Sequence, residues 1–326
     1  MTKTWSIGNF KILGQTVLAP LAGIGDLPFR IICKKYGVNL IYTEFVAAQG
    51  LLHKNKETFK MLKINQEEHP IGIQLFGATS NVLEKAAQFV EEAGVDFVDL
   101  NCGCPEPKVV KTGSGAALLN DLDNIARIVE AMVRAVKIPV TVKTRIGIRK
   151  NEPLIFKLGK MVEDAGAAAL AVNCCYVSQD FSGPYDWDVI GDLKRDLKIP
   201  IIGNGGIKNL DDAVVVLSKG ASAVMIGRAC FGAPWFFSQL NAGFEGSQWH
   251  EPSLNERFSV MVEHLNLEIE EKGEVVGVSE MRKHWAWYVK SLPGAAKFRD
   301  QAVHAKGAKQ MMTLLESYME QLYNRN

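Results

Sequence analysis

Eight short apolar, β-rich runs recur along the chain: Val17–Leu21, Leu40–Phe45, Ile71–Leu75, Phe97–Leu100, Val140–Lys143, Ala169–Val172, Ile201–Gly203 and Ala223–Ile226. Between them, Asn81–Ala93, Leu122–Val136, Leu154–Ala165 and Leu210–Lys219 place apolar residues at helical spacing among good helix formers. Gly94, Gly166 and Gly220 each close a helical pattern just before the next strand, where a helix end takes a left-handed residue. Eight strands alternating with helices over about 240 residues predict an α/β protein of the (β/α)8 TIM-barrel type. An open doubly wound sheet takes fewer strands and is the second choice.

After Phe237 the pattern changes. Residues 241–251 are rich in Gly and polar side chains and predict a linker. From Leu254 only helical patterns follow, over Leu254–Glu271, Glu280–Leu292 and Gly307–Leu322. The predicted organisation is a barrel over residues 1–240, a linker over 241–251 and a small all-helical domain over 252–326.

Charge sharpens this division. The 326 residues carry 37 Lys+Arg against 36 Asp+Glu, a net charge of +1 that argues against non-specific coating of nucleic acid. The helical region is lopsided, however. Residues 251–280 hold 8 acidic and 2 basic groups, whereas Arg282, Lys283, Lys290, Lys297, Arg299, Lys306 and Lys309 face a single acid, Asp300, over residues 282–309. That basic segment carries His284, Trp285, Trp287 and Tyr288, and two readings stay open: a stripe that meets a polyanion, or inward aromatics under a solvated charged face. A hydrophobic content of 47% excludes a disordered chain. No apolar run approaches the roughly 18 residues of a membrane span, and Met1 to Phe10 lack the apolar core of a signal peptide, so no membrane and a cytoplasmic address are expected.

A barrel carries its chemistry at the C-terminal ends of its strands. Here those ends read Ala19-Pro20-Leu21-Ala22-Gly23, Thr43-Glu44, Gln74, Asn101-Cys102-Gly103-Cys104-Pro105, Lys143-Thr144-Arg145, Asn173-Cys174-Cys175, Gly203-Asn204-Gly205-Gly206 and Ile226-Gly227-Arg228. The last two form a phosphate cradle, because glycines let backbone amides approach an anion and Arg228 adds charge. Lys143 projects to the rim centre, suited to a Schiff base or to an anionic, electron-rich ring. Cys104, fixed between Gly103 and Pro105, has a thiol that is mostly protonated at neutral pH and so can act as a general acid.

Asn101-x-Gly103-Cys104-Pro105 with Lys108 and Gly113-x-Gly115 resembles the active-site signature of the tRNA-dihydrouridine synthases. Pro20-Leu21-Ala22-Gly23, Asp26, Pro28-Phe29-Arg30, Gln74, Lys143-x-Arg145, Asn204-Gly205 and Gly227-Arg228 match that family in order and spacing. The similarity continues through Ser182-Gly183 to Trp187-Asp188, then Arg282-Lys283-His284 to Trp287-Tyr288 and Leu292-Pro293-Gly294. It implies reduction of uridine to 5,6-dihydrouridine in tRNA, with FMN as cofactor and NADPH as electron donor. By match, Pro20, Leu21, Ala22, Gln74, Lys143, Asn204, Gly205, Gly206, Gly227 and Arg228 hold FMN, with Asn173 beside them. Cys104 gives the proton to uracil C5 after hydride reaches C6, and Lys143 stabilises the anionic reduced flavin. Asn101, Arg145, Arg282 and Lys283 stand on the substrate side, and the basic segment 282–309 grips tRNA whose target base has left its stack. A monomer is expected.

Two departures stand out. Leu21 replaces a common Met, which conserves volume. Asn173-Cys174-Cys175 replaces His-x-Arg, so a guanidinium is missing from the end of strand six. This change keeps two alternatives in play: a flavin reductase of a free pyrimidine, of the dihydroorotate dehydrogenase type, or a catalytically altered RNA-binding relative. Cys102, Cys104, Cys174 and Cys175 lie near one rim, but C-x-C and C-C are poor chelate spacings on strand ends, and no metal is expected.

Overall fold

A computed structural model describes residues 3–179 and 183–324. Eight parallel strands close into a barrel: β3 (Thr16–Leu18), β4 (Leu40–Ala47), β5 (Ile71–Phe76), β6 (Phe97–Cys102), β7 (Val140–Arg145), β8 (Ala169–Asn173), β9 (Ile201–Asn204) and β10 (Ala223–Ile226), with β10 pairing back to β3. All eight runs read from the hydrophobic pattern are these strands. Gly94, Gly166 and Gly220 sit at φ of +81°, +95° and +103°, as the helix-ending role requires.

Each barrel strand alternates its side chains between two environments. In β6, Val98, Leu100 and Cys102 join the layer between strands and outer helices, while Phe97 packs inside the barrel. The inward set changes character along the barrel axis. At its N-terminal end Val17, Leu40, Tyr42, Phe97, Ala169, Ile202 and Ala223 form an apolar interior. Gly72 makes room there, since a Cβ would lie 2.2 Å from the Phe97 ring. An antiparallel hairpin of β1 (Thr4–Ile7) and β2 (Phe10–Leu13) adds Trp5, Ile7 and Ile12 to the same cluster. The hairpin is absent from the sequence expectation because two four-residue strands carry too few positions to show a period.

Helix Phe236–Glu245 occupies the first half of the segment whose composition predicts a linker, and it ends at left-handed Gly246. Four helices follow: Leu254–Lys272, Glu274–Tyr288, Ala295–His304 and Ala308–Tyr323. The second starts six residues before the expected Glu280 and stops at Tyr288, short of the expected Leu292. Its Val275-Val276-Gly277 opening reads poorly as helix, yet Gly277 is a packing choice: a Cβ there would meet the Glu268 backbone at 2.7 Å. The third helix is unanticipated. Met261, Leu265, Trp285, Phe298 and Leu315 build the core of these helices, and barrel residues Ile32 and Trp235 belong to it. Gly232, at φ +64°, lets the barrel approach the Trp287–Tyr288 backbone, while Phe231 stacks on Trp287 at 4.6 Å. No described helix is long and apolar enough to cross a membrane.

Candidate functional site

The strand alternation that fills the barrel floor with apolar groups places polar ones at its mouth. Gln74, Asp99, Thr141, Asn101, Lys143, Arg145, Asn173 and Asn204 are carried by adjacent strands. The pairing register runs Gln74–Asp99–Thr141, Asn101–Lys143 and Arg145–Asn173–Asn204. Above them lies a cavity of about 600 Å³, the size of a cofactor site. Pro20, Leu21, Ala22, Gln74, Asn101, Cys104, Lys143, Arg145, Asn173, Asn204, Gly205, Gly206, Gly227 and Arg228 all line it. Arg282 and Lys283 do not.

One hydrogen-bond chain sets the geometry. Buried Asp99 accepts from Thr141 Oγ1 and Gln74 Nε2, each at 2.6 Å, and Gln74 Oε1 accepts from Asn101 Nδ2 at 2.9 Å. Asn101 Oδ1 in turn accepts the backbone amides of Gly103 (3.1 Å) and Cys104 (3.0 Å). This Asn is therefore a turn-builder that aims Cys104, a local role its residue type performs well. From the other side the Ala116 amide donates to the Cys104 carbonyl at 2.9 Å. Gly115, at φ +61°, is needed there because a Cβ would lie 2.7 Å from that carbonyl oxygen.

The electrostatics suit an acid beside an anion. Burial pushes the half-exposed Cys104 thiol above its ordinary pKa, so the proton stays on sulfur at neutral pH. Burial and then the Arg145 guanidinium bring Lys143 down to about 8. Its ammonium hydrogen-bonds to no described residue, which leaves a cation aimed at whatever fills the cavity. Burial raises Asp99 to about 6 against the pull of Thr141, Gln74 and Lys143. Arg145 donates from Nε to the Gly103 carbonyl (2.8 Å) and from Nη1 to Cys175 Sγ (3.0 Å) and the Tyr176 carbonyl (3.2 Å). A guanidinium thus reaches the end of β8 from β7. Cys175 Sγ also donates to Asn173 Oδ1 at 3.3 Å.

At the opposite wall Gly205 and Gly206 adopt φ of +98° and +78°. The Tyr185 ring lies where side chains would go, 2.7 Å and 2.4 Å from Cβ atoms built at the two glycines. Trp187 Nε1 donates to the Gly205 carbonyl (2.9 Å), and Arg228 Nη2 to the Tyr185 hydroxyl (3.1 Å). A Cβ at Gly227 would meet nothing nearer than Leu21 at 3.8 Å, so the backbone faces free space. A glycine-lined end beside Arg228, the free Lys143 ammonium and apolar Ala19, Ile24 and Met225 fit an elongated, phosphorylated aromatic ligand.

Phe45, Tyr185 and Asp99 are site groups that the sequence reading does not single out. Asp99 was accessible in principle, two residues before Asn101 and so on the same strand face; Phe45 ends a recognised strand. Tyr185 lies on a loop with no periodic signal, and Ser182 of the matching stretch lies outside the described residues. Cys102 and Cys174 point away from the cavity into the strand–helix layer, and no three cysteines among the described residues come within ligating reach. The aromatics of the basic segment turn inward: His284, Trp285 and Tyr288 are buried, and Arg282 donates to the Ala305 carbonyl at 2.6 Å. Lys283 pairs with Glu280, whereas Lys290, Lys297, Lys306 and Lys309 are exposed.

Fold and site together define a TIM barrel whose C-terminal mouth sets the Cys104 thiol beside a cavity lined by Lys143, Arg228 and glycine backbone. The family model described as dihydrouridine synthase (Dus) matches residues 17–324, and the chain belongs to that family. It is 38% identical over 296 residues to a probable tRNA-dihydrouridine synthase of Rickettsia conorii, covering 90% of this chain and 89% of that one. It is 35% identical over 321 residues to tRNA-dihydrouridine synthase B of Xanthomonas campestris pv. campestris, covering 97% and 96%. Among solved structures, a variant of NCR from Zymomonas mobilis shares the fold, with a TM-score of 0.54, 19% identity, and coverage of 78% of this chain and 94% of that one.

Proposed function

We propose that the chain reduces uridine to 5,6-dihydrouridine in tRNA in the cytoplasm, with FMN as cofactor and NADPH as electron donor. The observation that carries this reading is the convergence of Cys104, Lys143, Gly205–Gly206 and Gly227–Arg228 on one cavity in a member of the dihydrouridine synthase family. When bound and reduced by NADPH, FMN would supply the hydride that adds to uracil C6. Gly205, Gly206, Gly227 and Arg228 hold its phosphate, and Lys143 offsets negative charge on its ring system. Pro20, Leu21 and Ala22 form the facing wall.

Cys104 keeps its proton until uracil C5 becomes basic and then delivers it, its Sγ positioned through the Asn101 turn. Arg145, anchored to Gly103 and Tyr176, presents its guanidinium to the substrate side of the mouth. A second cavity of about 700 Å³ shares Ala22 and Phe45 with the first and carries Lys108 and Thr112; it receives nucleotides flanking the extruded base. The exposed lysines at 290, 297, 306 and 309 meet the tRNA backbone, with Arg282 and the inward aromatics holding their helices in place. The 252–326 region acts as the tRNA-binding part of a monomer.

The test is a visible spectrum of the purified protein before and after NADPH, followed by nucleoside analysis of tRNA incubated with it. Bound FMN that bleaches with NADPH and yields dihydrouridine is the expected result. A protein that takes up no FMN would overturn the cofactor assignment. Bleaching with a free pyrimidine as the only acceptor would favour the small-substrate alternative.

A further inference from the structure

The densest set of unsatisfied polar atoms lies away from the cavity, at the seam between barrel and helices. His264 and Glu268 stand one turn apart on helix Leu254–Lys272, and His284 faces them from the adjoining helix Glu274–Tyr288. All three have 0% exposure. His264 Nε2 and both ring nitrogens of His284 have no hydrogen-bond partner, and the Glu268 carboxyl meets the Lys272 ammonium, at 3.0 Å, and the Asp26 carboxyl. Buried groups left this way are costly, so several in one place call for an occupant.

We infer that His264, Glu268 and His284 form a structural site for a divalent transition-metal ion of the Zn2+ class. One donor atom from each residue lies within 4.8 Å of the other two, and His264 Nε2 and Glu268 Oε1 are 3.7 Å apart. Tetrahedral bonds of about 2.1 Å place donors about 3.4 Å from one another, so small side-chain rotations close the set. Two imidazoles and one carboxylate are a donor set for Zn2+ rather than for Mg2+ or Ca2+, which take oxygen ligands.

The surroundings fit an ion as well. His264 Nδ1 lies 3.2 Å from the Tyr288 hydroxyl, the outer contact that orients a ligating imidazole with Nε2 toward the metal. Asp26, the cap of the barrel helix, and Glu268 share the Lys272 ammonium, so the carboxyl side of the site is anchored to the barrel. Phe29 covers both imidazoles, with ring centroids 5.9 Å from His264 and 5.4 Å from His284, and Trp287 closes on His284 at 5.4 Å. A metal here would join the two helices directly beneath barrel helix Leu27–Lys35, giving a structural rather than a catalytic centre. No cysteine takes part, which separates this site from the four-thiol arrangement.

The experiment uses the full chain, measured for metal as purified from zinc-supplemented medium, and again after unfolding with chelator and refolding with Zn2+ or Co2+ alone. A single tightly held ion per chain is expected, with a higher Tm than the metal-free protein. The Co2+ form should show visible d–d bands and no near-ultraviolet thiolate-to-cobalt band. Glu268→Gln and His284→Gln should lose the ion. Tyr288→Phe, which keeps the ring and removes only the hydroxyl behind His264, should weaken binding by about 10-fold while the fold persists. A wild-type chain without metal under both conditions would overturn the site, leaving a proton on Glu268 in the metal's place. A thiolate band, or unchanged uptake by folded variants, would overturn it too.

Discussion

The two ends of the barrel are built from the same strands and differ only in what the inward positions carry. At the N-terminal end, Val17, Leu40, Tyr42, Phe97 and Ala169 pack with Trp5, Ile7 and Ile12 of the hairpin into a closed apolar plug. One or two rungs further along, Gln74, Asn101, Lys143 and Asn204 replace them and open onto a cavity, with buried Asp99 beneath them. A sealed end can gain stability from burying apolar surface, whereas an open end must hold polar atoms in position and accept their desolvation. Stability and chemistry are thereby separated along one axis, and substitutions at the two ends should fail in different ways.

The largest expected effect is at the open end. Cys104→Ala should lower dihydrouridine formation by about 10²- to 10⁴-fold, the usual worth of a general acid. FMN binding and the melting temperature should change little, because Ala keeps the Cβ and gives up only a weak thiol contact with the Glu106 backbone. Product analysis and flavin absorbance on the same sample check both halves. Undiminished turnover would remove Cys104 from the mechanism. Phe97→Ala at the closed end should do the reverse. Its ring is buried against Tyr42 at 4.8 Å, so truncation should cost about 3–5 kcal/mol in denaturant unfolding. The turnover of the folded fraction should stay near wild type; a matching loss of turnover would mean that the two ends are not separable.

How much of this was legible follows from periodicity. Strand positions 97–102 show it best: once Phe97 is assigned inward, Asp99 follows to the barrel interior, Asn101 to the cavity and Cys102 to the outer layer, so Cys102 was never available to a rim metal site. The strands and the residues at their ends could be read because a period of two survives in six residues. The hairpin and Tyr185 could not, since short strands and loops carry no period, and helix Glu274–Tyr288 was truncated because its first turns are chosen for close approach at Gly277. Inward rotation of His284, Trp285 and Tyr288 depends on which face meets the barrel. The sequence pattern in 282–309 left both faces possible. The His264–Glu268–His284 grouping was also hidden, as His284 reaches the other two only through the antiparallel pairing of its helix.

Asp99 sits at the boundary between the two ends and gives the finest test of where one passes into the other. Its carboxyl is wholly buried, and burial lifts its pKa from 3.8 to about 6, with Gln74, Thr141 and Lys143 opposing the rise. Of the other titratable groups facing it, Tyr42 and Cys102 have pKa values raised well above their ordinary range and stay neutral through this window. A folded-state pKa above the unfolded one means that the native protein binds the proton more tightly. The contribution is therefore complete below pH 3.8 and is lost as pH rises through about 6. A shift of about two units corresponds to about 3 kcal/mol. Asp99→Asn removes that titration while keeping an acceptor for one of its two donors. Unfolding curves of flavin-free wild type and variant, measured from pH 4 to pH 7, should converge or cross as wild type loses about that amount relative to the variant. Parallel curves would show that Asp99 ionises as it does in water, placing it with the open, solvated mouth rather than on the dry side of the plug.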